Sequence, residues 1–220
     1  MTRRLRKHAT GWTGNVRARE VGCRLRVVPF WEAPYAPPDR INLIIDPGPS
    51  FGAGDHATTL MAIELVEEAM ALTSPTKPAP SMLDVGTGTG VLAIAARKLG
   101  AGFTVGLDID SSAVFTARRN LGLNRVLVPR PEPDGPTCVL VGGIEAVRGT
   151  FDLVAANLAA PLLLRISSDI CARTGSFLVL SGIAEAMRNS VFDHYVAMGL
   201  SPVRTLEREG WAAALWKRAL

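Results

Sequence analysis

The sequence predicts an α/β domain: a doubly wound, mostly parallel sheet with an antiparallel pair at its C-terminal end. Three observations predict it. From residue 57 onward, apolar strand-like runs alternate with helical ones, the pattern of parallel strands joined by crossover helices. A glycine-rich turn links the first of these strands to the next helix. The last two β-like runs flank Glu209 and Gly210, which suits antiparallel neighbours. A chain of 220 residues, 48% hydrophobic, fits one domain with a sizeable core.

The elements follow in order. Residues 1–23 are polar and read as loosely ordered. Arg24–Val28 and Ile41–Ile45 are β-like, with Pro34, Pro37 and Pro38 stiffening the connector between them. Residues 1–56 therefore read as a basic arm and linker with a short β segment, and 57–220 as the ligand-binding domain. A helix over Thr58–Leu72 carries Ala62, Leu65, Val66 and Ala69 on one face. Strand Ser81–Val85 enters the glycine turn, and a helix from Gly90 to Leu99 leaves it. Strand Phe103–Leu107 ends at Asp108, with Asp110 placed to cap a helix beginning at Ser111. A Pro-rich insertion, Pro129–Pro136, precedes strand Cys138–Val141. Strand Phe151–Ala156, one helix Pro161–Ala172, strand Ser176–Leu180 and helix Glu185–Met198 complete the alternation. Val203–Arg208 and Trp211–Trp216 close it.

Charge is unevenly placed. Residues 1–26 hold eight Lys/Arg against Glu20, a net +7, although the whole chain carries only +4. This arm reads either as an RNA or acidic-partner contact or as a solvated tail. The longest apolar run, Leu153–Leu164, is broken by Asn157 and Pro161 and is shorter than the roughly 20 residues a membrane helix needs. No apolar stretch follows the basic start, so no secretory signal is read and a cytoplasmic location is expected. Cys23, Cys138 and Cys171 lie far apart without a C-x-x-C pair, so neither a disulfide framework nor a metal site is expected.

The chemistry concentrates in Leu83-Asp84-Val85-Gly86-Thr87-Gly88-Thr89-Gly90. Gly86, Gly88 and Gly90 let the backbone turn tightly and approach a ligand, and the helix behind offers free N–H groups. The G-x-G-x-G spacing is not the G-x-G-x-x-G of diphosphate-binding folds. Asp84, just ahead of Gly86, suits a cation better than a phosphate. Asp108, at the end of the next strand, stands where a carboxylate accepts both hydroxyls of a ribose. A nucleoside with a positive sulfonium, S-adenosylmethionine, meets both conditions. The plain alternatives are a helix cap for Asp108 and an ordinary strand–helix turn for the glycines.

Two further segments bear on function. Ile45-Asp46-Pro47-Gly48-Pro49-Ser50-Phe51-Gly52-Ala53-Gly54-Asp55-His56-Ala57-Thr58-Thr59 reads locally as a turn, a small-residue stretch and a helix start. There His56 reads as a structural loop histidine. Asn157 ends a strand at the carboxyl edge of the sheet, where it holds a ligand or caps the next helix. Ile144 and Glu145 follow the third strand of the domain and face an adenine ring in this reading. Trp211 and Trp216 read as core or rim packing.

These segments together resemble the PrmA-type ribosomal protein methyltransferases, which modify lysines of large-subunit ribosomal protein eleven. The long loop carries the resemblance, supported by Leu83–Gly90, Gly106-Leu107-Asp108-Ile109-Asp110, Val154–Leu158 and Leu180–Ile183. The resemblance implies a class I methyltransferase, Rossmann-like fold, with S-adenosylmethionine as cofactor and a protein lysine as acceptor. It implies cofactor contacts at Thr59, Gly86, Asp108 and Asn157. The neighbouring Asp84, Thr87, Gly88, Gly90, Ile109 and Ile144 complete the expected cofactor site. Phe51 and His56 would face the transferred methyl group, with Asn157 closest to the chemistry. The chain differs from the family at Ala53, Asp55 and Ala57, and about 40 residues precede the loop where the family carries a substrate-recognition domain. RNA, a small molecule, or cofactor binding without turnover remain the alternatives. Asn157-Leu158-Ala159-Ala160 lacks the Asn/Asp-Pro-Pro-aromatic pattern of base-methylating enzymes.

Overall fold

The computed structural model describes residues 17–32, 37–46, 48, 52, 54–73, 75–126 and 137–219. The segment 1–16, Phe51 and the Pro-rich insertion lie outside the described residues.

A small sheet comes first. Strands β1 (Arg19–Val21), β2 (Leu25–Pro29) and β3 (Ile41–Ile45) pair in that order, β1 antiparallel and β3 parallel to β2. The loose chain expected up to residue 23 thus contains a strand. Three residues alternate too briefly to register in sequence, but Val21 is buried and Gly22 turns the chain at φ +59°. The Glu67 carboxylate then accepts the Cys23 N–H at 2.7 Å, tying this turn to the first helix.

The second sheet has seven strands. In chain order they are β4 (Ser81–Val85), β5 (Phe103–Asp108), β6 (Thr137–Val141), β7 (Phe151–Asn157), β8 (Thr174–Ala184), β9 (Leu200–Arg208) and β10 (Trp211–Arg218). Their spatial order is β6-β5-β4-β7-β8-β10-β9, and the five strands from β6 to β8 run parallel. Strand β10 runs antiparallel between β8 and β9. Pro202 is tolerated because β9 is the edge strand.

Helices α1 (Ala57–Thr73), α2 (Val91–Lys98) and α3 (Ser111–Leu123) cover one face; α4 (Ala160–Arg165), α5 (Ser167–Arg173) and α6 (Arg188–Ala197) cover the other. Side-chain alternation along β4 feeds both cores: Met82 packs toward α1 and α2, and Leu83 and Val85 toward the α4–α6 side. The small sheet shares the first core, through Val21, Leu25, Val27, Leu43 and Ile45.

Further elements differ from the sequence reading. The helix expected over Pro161–Ala172 breaks at Ile166 (φ −102°, ψ 13°). The Ser167 hydroxyl there bonds back to the Leu164 carbonyl at 2.8 Å and also meets His194 Nε2 at 2.8 Å, competing with the helical ladder. The helix expected over Glu185–Met198 opens with a 3-10 turn, Glu185–Met187. Strand β8 runs to Ala184, because β10 extends its pairing past Gly182 as far as Trp211.

The free edge of β3 faces α3. Asn124 accepts the Ile44 N–H at 2.9 Å and donates to the Ile44 carbonyl at 2.6 Å, standing in for a neighbouring strand.

Candidate functional site

The carboxyl ends of β4, β5, β7 and β8 open onto one cavity of about 930 Å³. Parallel sheets place ligands there because helix N-termini and strand-end loops converge on that edge.

The glycine turn forms the floor. Gly86, Gly88 and Gly90 all have positive φ, at +72°, +52° and +81°. A Cβ on Gly86 would lie 2.5 Å from the Leu158 side chain. Gly86, Thr87 and Gly88 line the cavity. Gly90 is absent from its lining and acts through packing: a Cβ there would come within 3.3 Å of the Ala117 backbone, so it sets the close approach of α2 to α3.

Asp84 lies behind this floor. It is 1% exposed, does not line the cavity, and accepts the Thr87 hydroxyl at 2.7 Å. Burial lifts its carboxyl to about 6, against the lowering effect of the Thr87 bond. Its Oδ1 is buried without a hydrogen-bond partner. A cation above the turn would favour the ionised form.

Asp108 stands at the rim. Its Oδ2 accepts the Gly88 N–H at 3.0 Å and its Oδ1 the Asp110 N–H at 3.0 Å. Each carboxylate oxygen keeps a further lone pair for a ligand hydroxyl. Asp110 caps α3 by accepting the Ser112 N–H at 2.8 Å, so Asp108 is not that cap. Ile109 is 80% exposed at the mouth, and Ile144 is buried in the 3-10 turn Ile144–Ala146; with Glu145 they line the same region. The Gly142 N–H bonds the Asp108 carbonyl at 2.8 Å and holds that turn against β5.

Asn157, Thr59, His56 and Trp211 line the cavity too. Asn157 is not a helix cap: the residue preceding α4 is Ala159, and no side chain caps that helix. Its Nδ2 lies 3.4 Å from Thr59 Oγ1, and its Oδ1 is buried with no partner. His56 Nδ1 is 2.8 Å from Thr58 Oγ1, and its ring meets Trp211 edge-on at 5.3 Å.

Sequence reasoning missed several lining residues. Trp211, read as packing, forms part of the wall; Trp216 is fully buried. Leu158, Leu162, Arg165, Ile166 and Gly182 also contribute. Gly182 carried a local signal: a glycine just after the apolar run Phe177–Leu180, here at φ +81°. Among the described residues, no group of three or more His, Cys, Asp or Glu could hold a metal ion, and no helix is long and apolar enough to cross a membrane.

The donor set fits a nucleoside-bearing cation. The Asp108 carboxylate and the apolar Ile109 and Ile144 line one end of the cavity, and Gly86 leaves room that a Cβ would fill. A partnerless amide oxygen, Asn157 Oδ1, belongs to the wall at the end of β7, beside Thr59.

Comparison with known proteins agrees in kind. The family described as Ribosomal protein L11 methyltransferase (PrmA) matches residues 6–219. The ribosomal protein L11 methyltransferase of Pelobacter propionicus is 40% identical over 213 residues, covering 96% of this chain and 66% of that relative. The one from Geobacter metallireducens is 38% identical over 215 residues, covering 95% of this chain and 65% of its own length. The chain thus spans slightly less than two thirds of these curated relatives. A crystal structure of a ribosomal protein L11 methylase from Lactobacillus delbrueckii subsp. bulgaricus superposes with a TM-score of 0.78 at 27% identity, covering 92% of this chain and 99% of that one.

Proposed function

The chain belongs to the ribosomal protein L11 methyltransferase (PrmA) family, and from that premise we propose that it transfers methyl groups from S-adenosylmethionine to a protein amine, a lysine of a ribosomal protein first. The observation that carries the reading is Asn157 Oδ1, a buried acceptor without a partner at the end of β7. An incoming amine has N–H groups to give it, and the bond would aim the nitrogen lone pair.

In this reading residues 57–220 are the cofactor-binding domain. Asp108 holds the ribose, Ile109 and Ile144 sandwich the adenine, and Gly86, Thr87, Gly88 and Thr59 cradle the amino-acid end. Asp84 supports the positive charge from behind the turn. His56 and Trp211 wall the acceptor side. When bound, S-adenosylmethionine supplies an electrophilic methyl carbon that accepts the amine lone pair while the C–S electrons leave with sulfur. A lysine must first lose its proton, at a cost of about 4 kcal/mol near neutral pH. An apolar, desolvated wall lowers that cost, because burial disfavours the ammonium form. The residues therefore act by alignment and desolvation.

The test is transfer of isotope-labelled methyl groups, by the purified protein, into ribosomal protein L11, whole ribosomes and cell lysate, followed by identification of the labelled residue. Label on protein lysine supports the reading. Label confined to RNA or to small molecules overturns the protein acceptor, and no label beside tight cofactor binding overturns the activity.

A further inference from the structure

A buried chain of hydrogen bonds joins the glycine turn to Asp46 and Gly52. Asn120, on α3 and 0% exposed, accepts the Asp46 N–H at 2.8 Å and donates to the Asp46 carbonyl at 3.0 Å. The same amide donates to the Thr89 carbonyl in the glycine turn, 2.9 Å away. Thr89, also 0% exposed, donates its hydroxyl to the Gly52 carbonyl at 2.7 Å. Asp46 follows β3, and Gly52 lines the cavity four residues before His56. Neither Asn120 nor Thr89 lines the cavity.

Both N–H groups of Asn120 and its oxygen are thus engaged across three separate elements. A buried amide whose partners are all supplied specifies one arrangement of them, since any shift leaves a desolvated polar group unpaired. Thr89 is the shared node: its carbonyl holds Asn120 and its hydroxyl holds Gly52. Local opening at Asp46 or at Gly52 must therefore break a bond to Thr89 or to the residue it anchors. A ligand that steadies the turn raises the free energy of those openings, with no change of shape needed.

We propose that Thr89 and Asn120 are positioning residues that couple the cofactor turn to Asp46 and Gly52, so that seating the cofactor also steadies those two residues. This deepens, and rests on, the methyl-transfer reading above. It gives the site an order: Asp46 and Gly52 are held most firmly once the cofactor is in place.

Amide hydrogen exchange resolved by NMR tests it, with S-adenosylhomocysteine as the probe. In the unaltered protein the probe slows exchange at Gly88, Asp46 and Gly52, by about tenfold at the two remote amides, within the range of linked sites. Thr89→Val abolishes the response at Gly52 and leaves it at Asp46. Asn120→Ala abolishes it at Asp46 and leaves it at Gly52. Thr89→Ser restores the native pattern. Direct contact between probe and Gly52 would survive Thr89→Val, so an unchanged Gly52 response in that variant overturns the proposal. So does slowing confined to the glycine turn in the unaltered protein, while the methyl-transfer reading stands. Absence of probe binding overturns both. If Asn120→Ala does not fold, the Thr89→Val and Thr89→Ser pair decides the matter alone.

Discussion

Asp108 Oδ2 accepts the N–H of Gly88 at 3.0 Å, so the carboxylate proposed to hold the ribose also pins the glycine turn to the end of β5. Removing it therefore has two effects. We predict that Asp108→Ala weakens S-adenosylhomocysteine binding by about 2–4 kcal/mol, from up to two lost charge-assisted bonds. It should also lower stability by about 1 kcal/mol through the freed turn. Asp108→Asn, which keeps an acceptor oxygen, should lose less of both. Calorimetry and urea melts on the two variants measure this; an unchanged dissociation constant in Asp108→Ala would remove the residue from the site.

Asn157, proposed to meet the acceptor amine, offers a test that separates chemistry from binding. Asn157→Ala should slow methyl transfer by about 2 kcal/mol of barrier, roughly 30-fold, since one aligned hydrogen bond to the acceptor is lost. Cofactor affinity should fall by less than about 1 kcal/mol, because Thr59 and the glycine turn remain. Single-turnover rates set against calorimetric affinity decide. Equal losses in both would make Asn157 a cofactor contact only.

How legible this site was in the sequence depends on the kind of signal. Strand β4, the glycine turn and Asp108 stood out because their chemistry is local: an apolar run, φ-positive glycines and an acid one strand on. The Asp110 cap was equally local, and the structure shows it made. What sequence did not reveal depends on distant partners. Trp211 reaches the cavity only because β10 inserts antiparallel between β8 and β9. Asp84 and Gly90 sit in the motif yet behind the wall, since alternation along β4 and the packing of α2 on α3 turn them away from the cavity. The choice for Asn157 between ligand contact and helix cap needed the geometry of Ala159. The hydrogen-bond chain through Asn120 joins residues 46, 89 and 120, too far apart in sequence for any periodicity to suggest.

Gly182 gives a controlled comparison with Gly199. Both have positive φ, +81° and +84°, so alanine carries a similar backbone strain at each. A Cβ on Gly182 would lie 2.5 Å from the Leu158 carbonyl oxygen, whereas one on Gly199 meets nothing within 4 Å. Gly199→Ala should destabilise by about 1 kcal/mol and leave cofactor binding intact. Gly182→Ala should cost about 2 kcal/mol more and displace Leu158 from the cavity wall, with loss of cofactor binding. Equal melting shifts for the two variants would show that the backbone clash is relieved at no cost.

We predict that Asp84 makes stability and cofactor binding depend on pH in opposite senses. Its carboxyl, raised by burial to about 6 from 3.8, holds a proton in the folded chain over a range where the unfolded chain has released it. Folding is therefore favoured by this group at low pH, and the advantage is lost as pH rises from about 4 through 6. The full loss approaches about 3 kcal/mol at 1.36 per unit. Asp84→Asn does not titrate and leaves an oxygen to accept the Thr87 hydroxyl. Its stability relative to the unaltered protein should thus climb between pH 4 and 7 and then level off. Binding runs the other way. A sulfonium above the turn is stabilised by the carboxylate and not by the acid, so S-adenosylmethionine should bind more tightly as pH rises through about 6. S-adenosylhomocysteine, which lacks the sulfonium charge, should gain less, and Asp84→Asn should show neither gain. Calorimetry of both ligands between pH 5 and 8, beside urea melts of the two proteins, reads every part of this. Equal pH slopes for the two ligands would mean that Asp84 does not sense the methyl-bearing charge, and a stability difference independent of pH would mean that its carboxyl titrates in the ordinary range.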